Sequence, residues 1–179
     1  MKNNLAQSMN RKDFTKHCLA SALMELLEKK EYDEISIQDI VDKAGFSRMG
    51  YYRNFKSIDE ILDYYLKENT DNFFKTSGIF VKGTSVEKFV AGLFHYLCSE
   101  DVKNLFILLN KRHLHLNFYR YFAINYQKLD YENDPYIYSF FGSGYFGVFY
   151  KWVSTGCKET EEELTAIVLN IINRLKGKQ

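Results

Sequence analysis

The stretch ISIQDIVDKAGFSRMGYYRNFKSIDEILDYYL, residues 35–66, decides the fold of this 179-residue chain. Ser36 stands before Ile37, Ile40, Val41 and Ala44, which recur at helical spacing. A hydroxyl in that place accepts from the free N–H groups of a helix start. Asp39, three residues on, is set to reach back to Ser36, a role more often filled by Glu or Gln. Gly45 follows the last apolar residue, where a left-handed backbone ends a helix at little cost. Ser47 caps another short helix almost at once, with Phe46 and Tyr51 at hydrophobic-staple spacing. That helix ends near Asn54. Ser57 opens the next, with Asp59 and Glu60 in its first turn, where the helix dipole favours negative charge. Ile58, Ile61, Leu62, Tyr65 and Leu66 form its apolar stripe.

Working outward, residues 10–30 read as a first helix on Leu19, Ala22, Leu23, Leu26 and Leu27. The segment SGIFVKG, 77–83, marks a boundary. Thr84 and Glu87 have the spacing of a capping box for a helix over 85–99, and helices over 100–110 and 112–129 follow. A polar turn at 130–134 leads into Asp134-Pro135, an N-cap with proline at the first helical position. The helix that begins there ends at Gly156. Thr160 and Glu163 pair as a capping box for a last helix, whose apolar face is Leu164, Ile167, Val168, Ile171, Ile172 and Leu175. One proline and ten glycines suit long helices, which both residues weaken. The expected fold is all-α, with about nine helices. A helix-turn-helix headpiece covers residues 1–56 and a C-terminal helical domain covers 57–179, with the helix over 57–76 linking the two.

Composition narrows the function. Net charge is +1, so any binding to a polyanion must use locally concentrated positive charge. Cys18, Cys98 and Cys157 lie far apart without metal spacing, and read as reduced, small apolar residues. His113 and His115, two apart, point to different helix faces. No nucleophile motif, phosphate loop or metal spacing appears, so neither an enzyme nor a cofactor or metal is expected. The N-terminus has no apolar signal region, and the aromatic run 136–153 is broken by glycines, serines and Lys151. The reading is therefore cytoplasmic, with no membrane span.

The helix after Gly45 is where the positive charge gathers: residues 44–56 hold Arg48, Arg53 and Lys56 and no acid. The DNA major groove admits one helix, whose first residues reach base edges. Arg48 is placed to donate two hydrogen bonds to guanine, and Met49 to meet a thymine methyl. Gly50 costs about 1 kcal/mol of helix propensity relative to alanine, a cost justified where backbone must approach DNA closely. Tyr52, Arg53 and Lys56 suit phosphate oxygens. On spacing alone, a solvated basic face accounts for these residues equally well.

Residues 35–66 also resemble the signature of TetR/AcrR-family transcription regulators. Ser36, Ile40, Ala44, Gly45, Ser47, Tyr52, Phe55 and Glu60 fall in place, and the likeness runs over about 10–66. It implies that Ser36 and Gln38 touch DNA, that Arg48, Met49 and Gly50 face bases, and that Tyr52, Asn54 and Lys56 hold the backbone, with Ser47 and Arg53 in the same contact set. Many members have glycine where Met49 stands, a small hydroxyl residue or alanine where Gly50 stands, histidine at Asn54 and lysine at Ile58. The binding mode therefore transfers, and the operator preference does not. Arg11 and Lys12 fit either extra phosphate contacts or a frayed terminus.

The resemblance further implies a homodimer on double-stranded operator DNA, a repressor controlled through its C-terminal domain by a small-molecule or protein effector. The dimer would use the last two helices, through Phe141, Tyr145, Val148, Phe149 and Trp152 on one and Leu164, Ile167, Val168, Ile171, Ile172 and Leu175 on the other. Candidates for an effector pocket are Phe94, His95, Phe106, His113, Tyr119, Phe122 and Tyr126, though plain core packing explains any one of them. Residues 102–129 carry five Lys or Arg and no acid, which fits an anionic partner or a solvated face. An architectural or division-control DNA-binding protein without a small-molecule effector is the alternative.

Overall fold

Asn10 opens the first helix by accepting from the backbone N–H groups of Lys12 and Asp13, both at 3.0 Å. The structure, a computed structural model, describes residues 10–79, 81, 83–127, 135–175 and 177, with the side chains of 124–127 and 138 set aside. The turn expected at 130–134, and Asp134 as a cap, lie outside the described residues. Among the described residues there are nine α-helices and no strand, as the periodicity indicated. The backbone divides into two compact units, Met1–Asn69 and Thr70–Gln179.

In the first unit, α1 (Arg11–Leu27) buries Leu19, Ala22, Leu23 and Leu27. Met24 is buried beside them, while Leu26 is only half-buried, so the inward face is rotated from the expected stripe. The helix stops three residues before Lys30, and a 3-10 turn at Tyr32–Glu34 follows. Helix α2 (Ile37–Ala44) starts on a reciprocal box: Asp39 N–H donates to Ser36 Oγ at 3.1 Å, and Ser36 N–H to Asp39 Oδ2 at 2.9 Å. Gly45 ends it with φ +73°, the left-handed geometry that its missing side chain allows. Helix α3 (Arg48–Tyr52) is capped by Ser47 Oγ, which accepts from Gly50 N–H at 3.1 Å. Helix α4 (Ile58–Thr76), of which the part up to Asn69 belongs to this unit, starts where Ser57 Oγ accepts from Glu60 N–H, while the Glu60 carboxylate accepts from Lys56 N–H at 2.7 Å.

Leu23, Ile40, Tyr51, Ile61 and Leu62 close this unit's core, each fully or almost fully buried. At about 1.5–3 kcal/mol per buried large apolar side chain, these contacts hold together helices too short to be stable alone. Polar clips orient them. Lys43 pairs with Glu25 at 2.7 Å, Lys30 with Asp39 at 2.9 Å, and Tyr32 OH donates to Asp59 Oδ1 at 2.5 Å.

The second unit holds α5 (Val86–Cys98), α6 (Glu100–Lys111), α7 (His115–Gln127), α8 (Pro135–Ser154) and α9 (Glu161–Leu175). Ser85, not Thr84, caps α5, accepting from Lys88 N–H at 3.2 Å. Helix α7 begins at 115 rather than 112, because His113 takes a left-handed φ of +59° in the turn. Pro135 is the first residue of α8, as expected. Helix α9 packs on α5, and α7 packs on α8. Phe94, Phe106, Phe118, Phe122 and Phe149 are completely buried and form an aromatic core. Ile79 is docked against Gly92, where an added Cβ would lie 2.5 Å from Ile79 Cγ2. The α8–α9 turn runs through Gly156 (φ +90°) and Cys157 (φ +53°). Trp152 Nε1 closes it by donating to the Glu159 carbonyl at 2.9 Å. The Thr160–Glu163 box is formed, at 2.8 and 3.2 Å.

Candidate nucleic-acid interface

Tyr51 is the anchor from which the face of α3 is built. It is 0% exposed and fixes which way the five-residue helix turns. Its neighbours in sequence then point outward: Met49 is 62% exposed and Tyr52 59%. Tyr52 stands edge-on to the Tyr51 ring, with centroids 5.0 Å apart. Ser36, Gln38, Ser47, Arg48, Arg53 and Lys56 are exposed, and Gly50 and Asn54 are half-buried. The sequence-derived set thus gathers along α3 and the start of α2.

The polar groups on this face are ordered. Ser36 holds Asp39, whose carboxyl lies below the usual carboxylate range, chiefly because Lys30 hydrogen-bonds to it and then because Ser36 does. Asn54 Nδ2 donates to the Gly50 carbonyl at 2.7 Å, which spends part of its amide inside the headpiece. Burial pushes the Tyr51 hydroxyl's pKa above its ordinary value, and neighbouring Tyr52, Glu60 and Asp59 add to that. A Cβ added at Gly50 would find Ser47 Oγ at 3.6 Å and Phe46 Cβ at 3.8 Å, ordinary contacts. Nothing among the described residues therefore requires glycine there.

An open cleft of about 620 Å³ lies beside α3, lined by Arg11, Lys12, Thr15, Phe46, Ser47, Gly50, Arg53 and Asn54. Arg11 and Lys12 thus belong to the capped first turn of α1 and line the same cleft as Arg53. Sequence reasoning missed Thr15 and Asp42. Thr15 offered a weak signal, one helical turn after Arg11 and on its side of the helix. Asp42 matters because Gln38 Nε2 donates to it at 2.7 Å, while Gln38 Oε1 accepts from Arg48 Nε at 2.7 Å.

The remaining candidates lie in the second unit. Phe94, Phe106 and Phe122 sit in the aromatic core. Phe106 meets Phe118, Phe146, Phe149, His115 and Tyr150 at centroid distances of 4.8–6.5 Å. Tyr119 is half-buried against Phe146, and its hydroxyl lies 2.6 Å from Ser143 Oγ. His95 and His113 face solvent, His95 beside Glu161 at 3.2 Å. The side chain of Tyr126 lies outside the described residues. On the last two helices, Tyr145, Phe149, Trp152, Leu164, Val168 and Ile172 are buried, while Phe141 and Val148 are half-buried. Ile167, Ile171 and Leu175 are 44%, 44% and 59% exposed. No helix among the described residues is long and apolar enough to cross a membrane.

Comparison with known proteins agrees with this geometry. A family model described as "Bacterial regulatory proteins, tetR family" matches residues 19–65, and one described as "Transcriptional regulator C-terminal region" of TetR type matches 85–174. No curated protein sequence matches the chain. Among solved structures, Lin0861 from Listeria innocua is similar at 16% identity, over 93% of this chain and 95% of its own, with a TM-score of 0.73. A TetR transcriptional regulator from Streptococcus agalactiae 2603V is similar at 19% identity, over 90% and 95%, with a TM-score of 0.64. DhaS, described as a dihydroxyacetone kinase operon activator, is similar at 19% identity, over 90% and 95%, with a TM-score of 0.55. At these identities the likeness to solved structures is one of fold. The two family matches together cover most of the chain, and the chain belongs to the TetR family of DNA-binding transcriptional regulators, which are not enzymes.

Proposed function

We propose that this regulator binds a two-fold operator as a homodimer, lays α3 in the major groove, and represses transcription until an effector acts on its C-terminal domain. The observation that carries the reading is the outward face of α3, where Arg48, Met49 and Tyr52 project from a helix pinned by buried Tyr51. Arg48, Met49 and Gly50 face base edges. Tyr52, Arg53, Asn54 and Lys56 hold phosphates, joined by Arg11 and Lys12 from the same cleft, while Ser36, whose hydroxyl donates to Asp39, and Ser47 cap the two helices beside the DNA. Gly50 supports this, since alanine would fit there with ordinary contacts among the described residues, and a glycine that the headpiece does not need suits close approach of DNA to the backbone.

Residues 1–56 act as the headpiece, and 57–179, with its first helix as the link, carry dimerisation and control. Dimerisation uses a groove between α8 and α9 lined by Phe140, Phe141, Gly144, Tyr145, Val148, Val168, Ile171, Ile172 and Leu175, almost without polar surface. A contiguous apolar face of this kind has to be covered in water, and a second copy covers it with the same face. Control follows from linkage: an effector that binds one dimer conformation better than the other shifts the population away from the one that fits the operator. As a transcription regulator, the protein works in the cytoplasm.

The test uses a library of randomised duplexes. Repeated selection by the purified protein should enrich a two-fold symmetric motif with half-sites about one helical turn apart. Failure to enrich any motif at low salt overturns the reading. The sign of control is tested separately, because DhaS is named as an activator. Deleting the gene should raise transcripts beside the enriched sites, and a fall would replace repression with activation. Footprints that change when cell extract is added support effector control. Footprints that never change leave a regulator without an effector.

A further inference from the structure

Gln38 does not stand on the interface as a free amide. Its Nε2 donates to Asp42 Oδ1 at 2.7 Å, one turn along α2, and its Oε1 accepts from Arg48 Nε at 2.7 Å, across the Gly45 turn. The chemistry of the two neighbours fixes both ends. An ionised carboxylate only accepts, so it takes the amide N–H group, and the carbonyl is turned toward an arginine that only donates. The guanidinium then has its Nε engaged and its two terminal nitrogens free. A side-on approach to a base through Nε is closed off, and an end-on approach through both terminal nitrogens remains. That approach matches the paired acceptors of guanine in the major groove. Holding one arginine rotamer before DNA arrives also lowers the ordering cost at binding.

We infer that Gln38 is a positioning residue: braced by Asp42, it presents Arg48 end-on to one base pair and reads no base itself. This rests on the base-reading role proposed for Arg48, and the experiment separates the two. Randomised-duplex selection is run with the full chain and with Arg48→Ala, Gln38→Ala and Gln38→Glu. Arg48→Ala should flatten one column of the enriched motif. Gln38→Ala should weaken the guanine preference in that same column about five- to tenfold, the range expected from losing part of a bidentate contact. The other columns, and affinity for a non-cognate duplex, should stay unchanged. Gln38→Glu loses the N–H to Asp42, but repulsion from that carboxylate turns its own acceptor oxygens toward Arg48 Nε, so it should keep the column. Gln38 is exposed and alanine favours helix, so thermal melting should match the parent for each variant. The inference is overturned if Gln38→Ala leaves the column intact, flattens a different column, or weakens all sequences equally. It is also overturned if Gln38→Glu loses the column as alanine does. If Arg48→Ala leaves every column intact, the base-reading role itself falls, and the positioning role with it.

Discussion

Tyr51 and Tyr52 are adjacent, chemically identical and differently placed, and their variants should separate accordingly. The Tyr51 hydroxyl is buried with no hydrogen-bond partner among the described residues, so Tyr51→Phe removes a desolvated group. Stability should hold or rise by about 1 kcal/mol in urea unfolding, with DNA affinity unchanged. Tyr52→Phe should leave stability alone and weaken binding evenly across sequences, and a shifted motif would refute its phosphate role. Gly50 gives a sharper contrast. Alanine fits its space, so Gly50→Ala should stabilise the fold by about 1 kcal/mol while operator affinity falls. Unfolding curves and mobility shifts on one preparation check both halves, and a variant that binds as well as the parent removes the close-approach argument. At this scale the sequence showed which residues meet on α3, because helix spacing and a buried neighbour decide that locally. It did not show the Gln38–Arg48 link. That bond joins positions ten apart across a turn, and depends on rotamers that no periodicity records.

Among the elements, the α2 cap carries a pH dependence. Folding lowers the Asp39 pKa through hydrogen bonds from Lys30 and Ser36. A carboxylate lowered in this way stabilises the folded state above its unfolded pKa of about 4, and that contribution is lost as pH falls below it. The urea midpoint should therefore drop more steeply between about pH 5 and pH 3 in the parent than in Asp39→Asn. Equal drops would show that the box contributes nothing. At α5, Gly92→Ala brings a Cβ to 2.5 Å from Ile79 and should cost about 1–3 kcal/mol. Shrinking the opposing side chain makes room, so Gly92→Ala with Ile79→Ala should lose less than the sum of the single losses in the same unfolding assay. Caps at Ser36, Ser47 and Thr160 were legible because each is settled within four residues. Thr84 and Ser85 were not, since two hydroxyls in a row offer two registers. Ser85 takes the role, accepting from Lys88 N–H.

For the whole molecule, the decisive surface is the α8–α9 groove. The last helix reads in sequence as one apolar stripe, yet Leu164, Val168 and Ile172 face inward while Ile167, Ile171 and Leu175 remain exposed. Hydrophobicity alone cannot divide such a stripe between a core and a partner, because both demand the same residues. The same ambiguity covers Phe94, Phe106 and Phe122, since a pocket wall and a packed core both use aromatic rings. Ile171→Glu tests the division. The site is exposed in one chain, so the fold should survive, but a charge within an apolar dimer face should hold the copies apart. Sedimentation should give half the parent mass with unchanged helicity, and operator shifts should be lost. A variant that still pairs would move the interface elsewhere.

The corner joining α8 to α9 has a practical consequence. Trp152 is the sole tryptophan, buried, with its indole N–H bound to the Glu159 carbonyl. Red-edge excitation, which spares the tyrosines, therefore draws light from a single spot at the α8–α9 corner. Without any dye attached, the molecule carries its own optical gauge. A looser corner would shift emission toward that of wet indole, while rearrangements confined to the headpiece would leave it dark to the instrument.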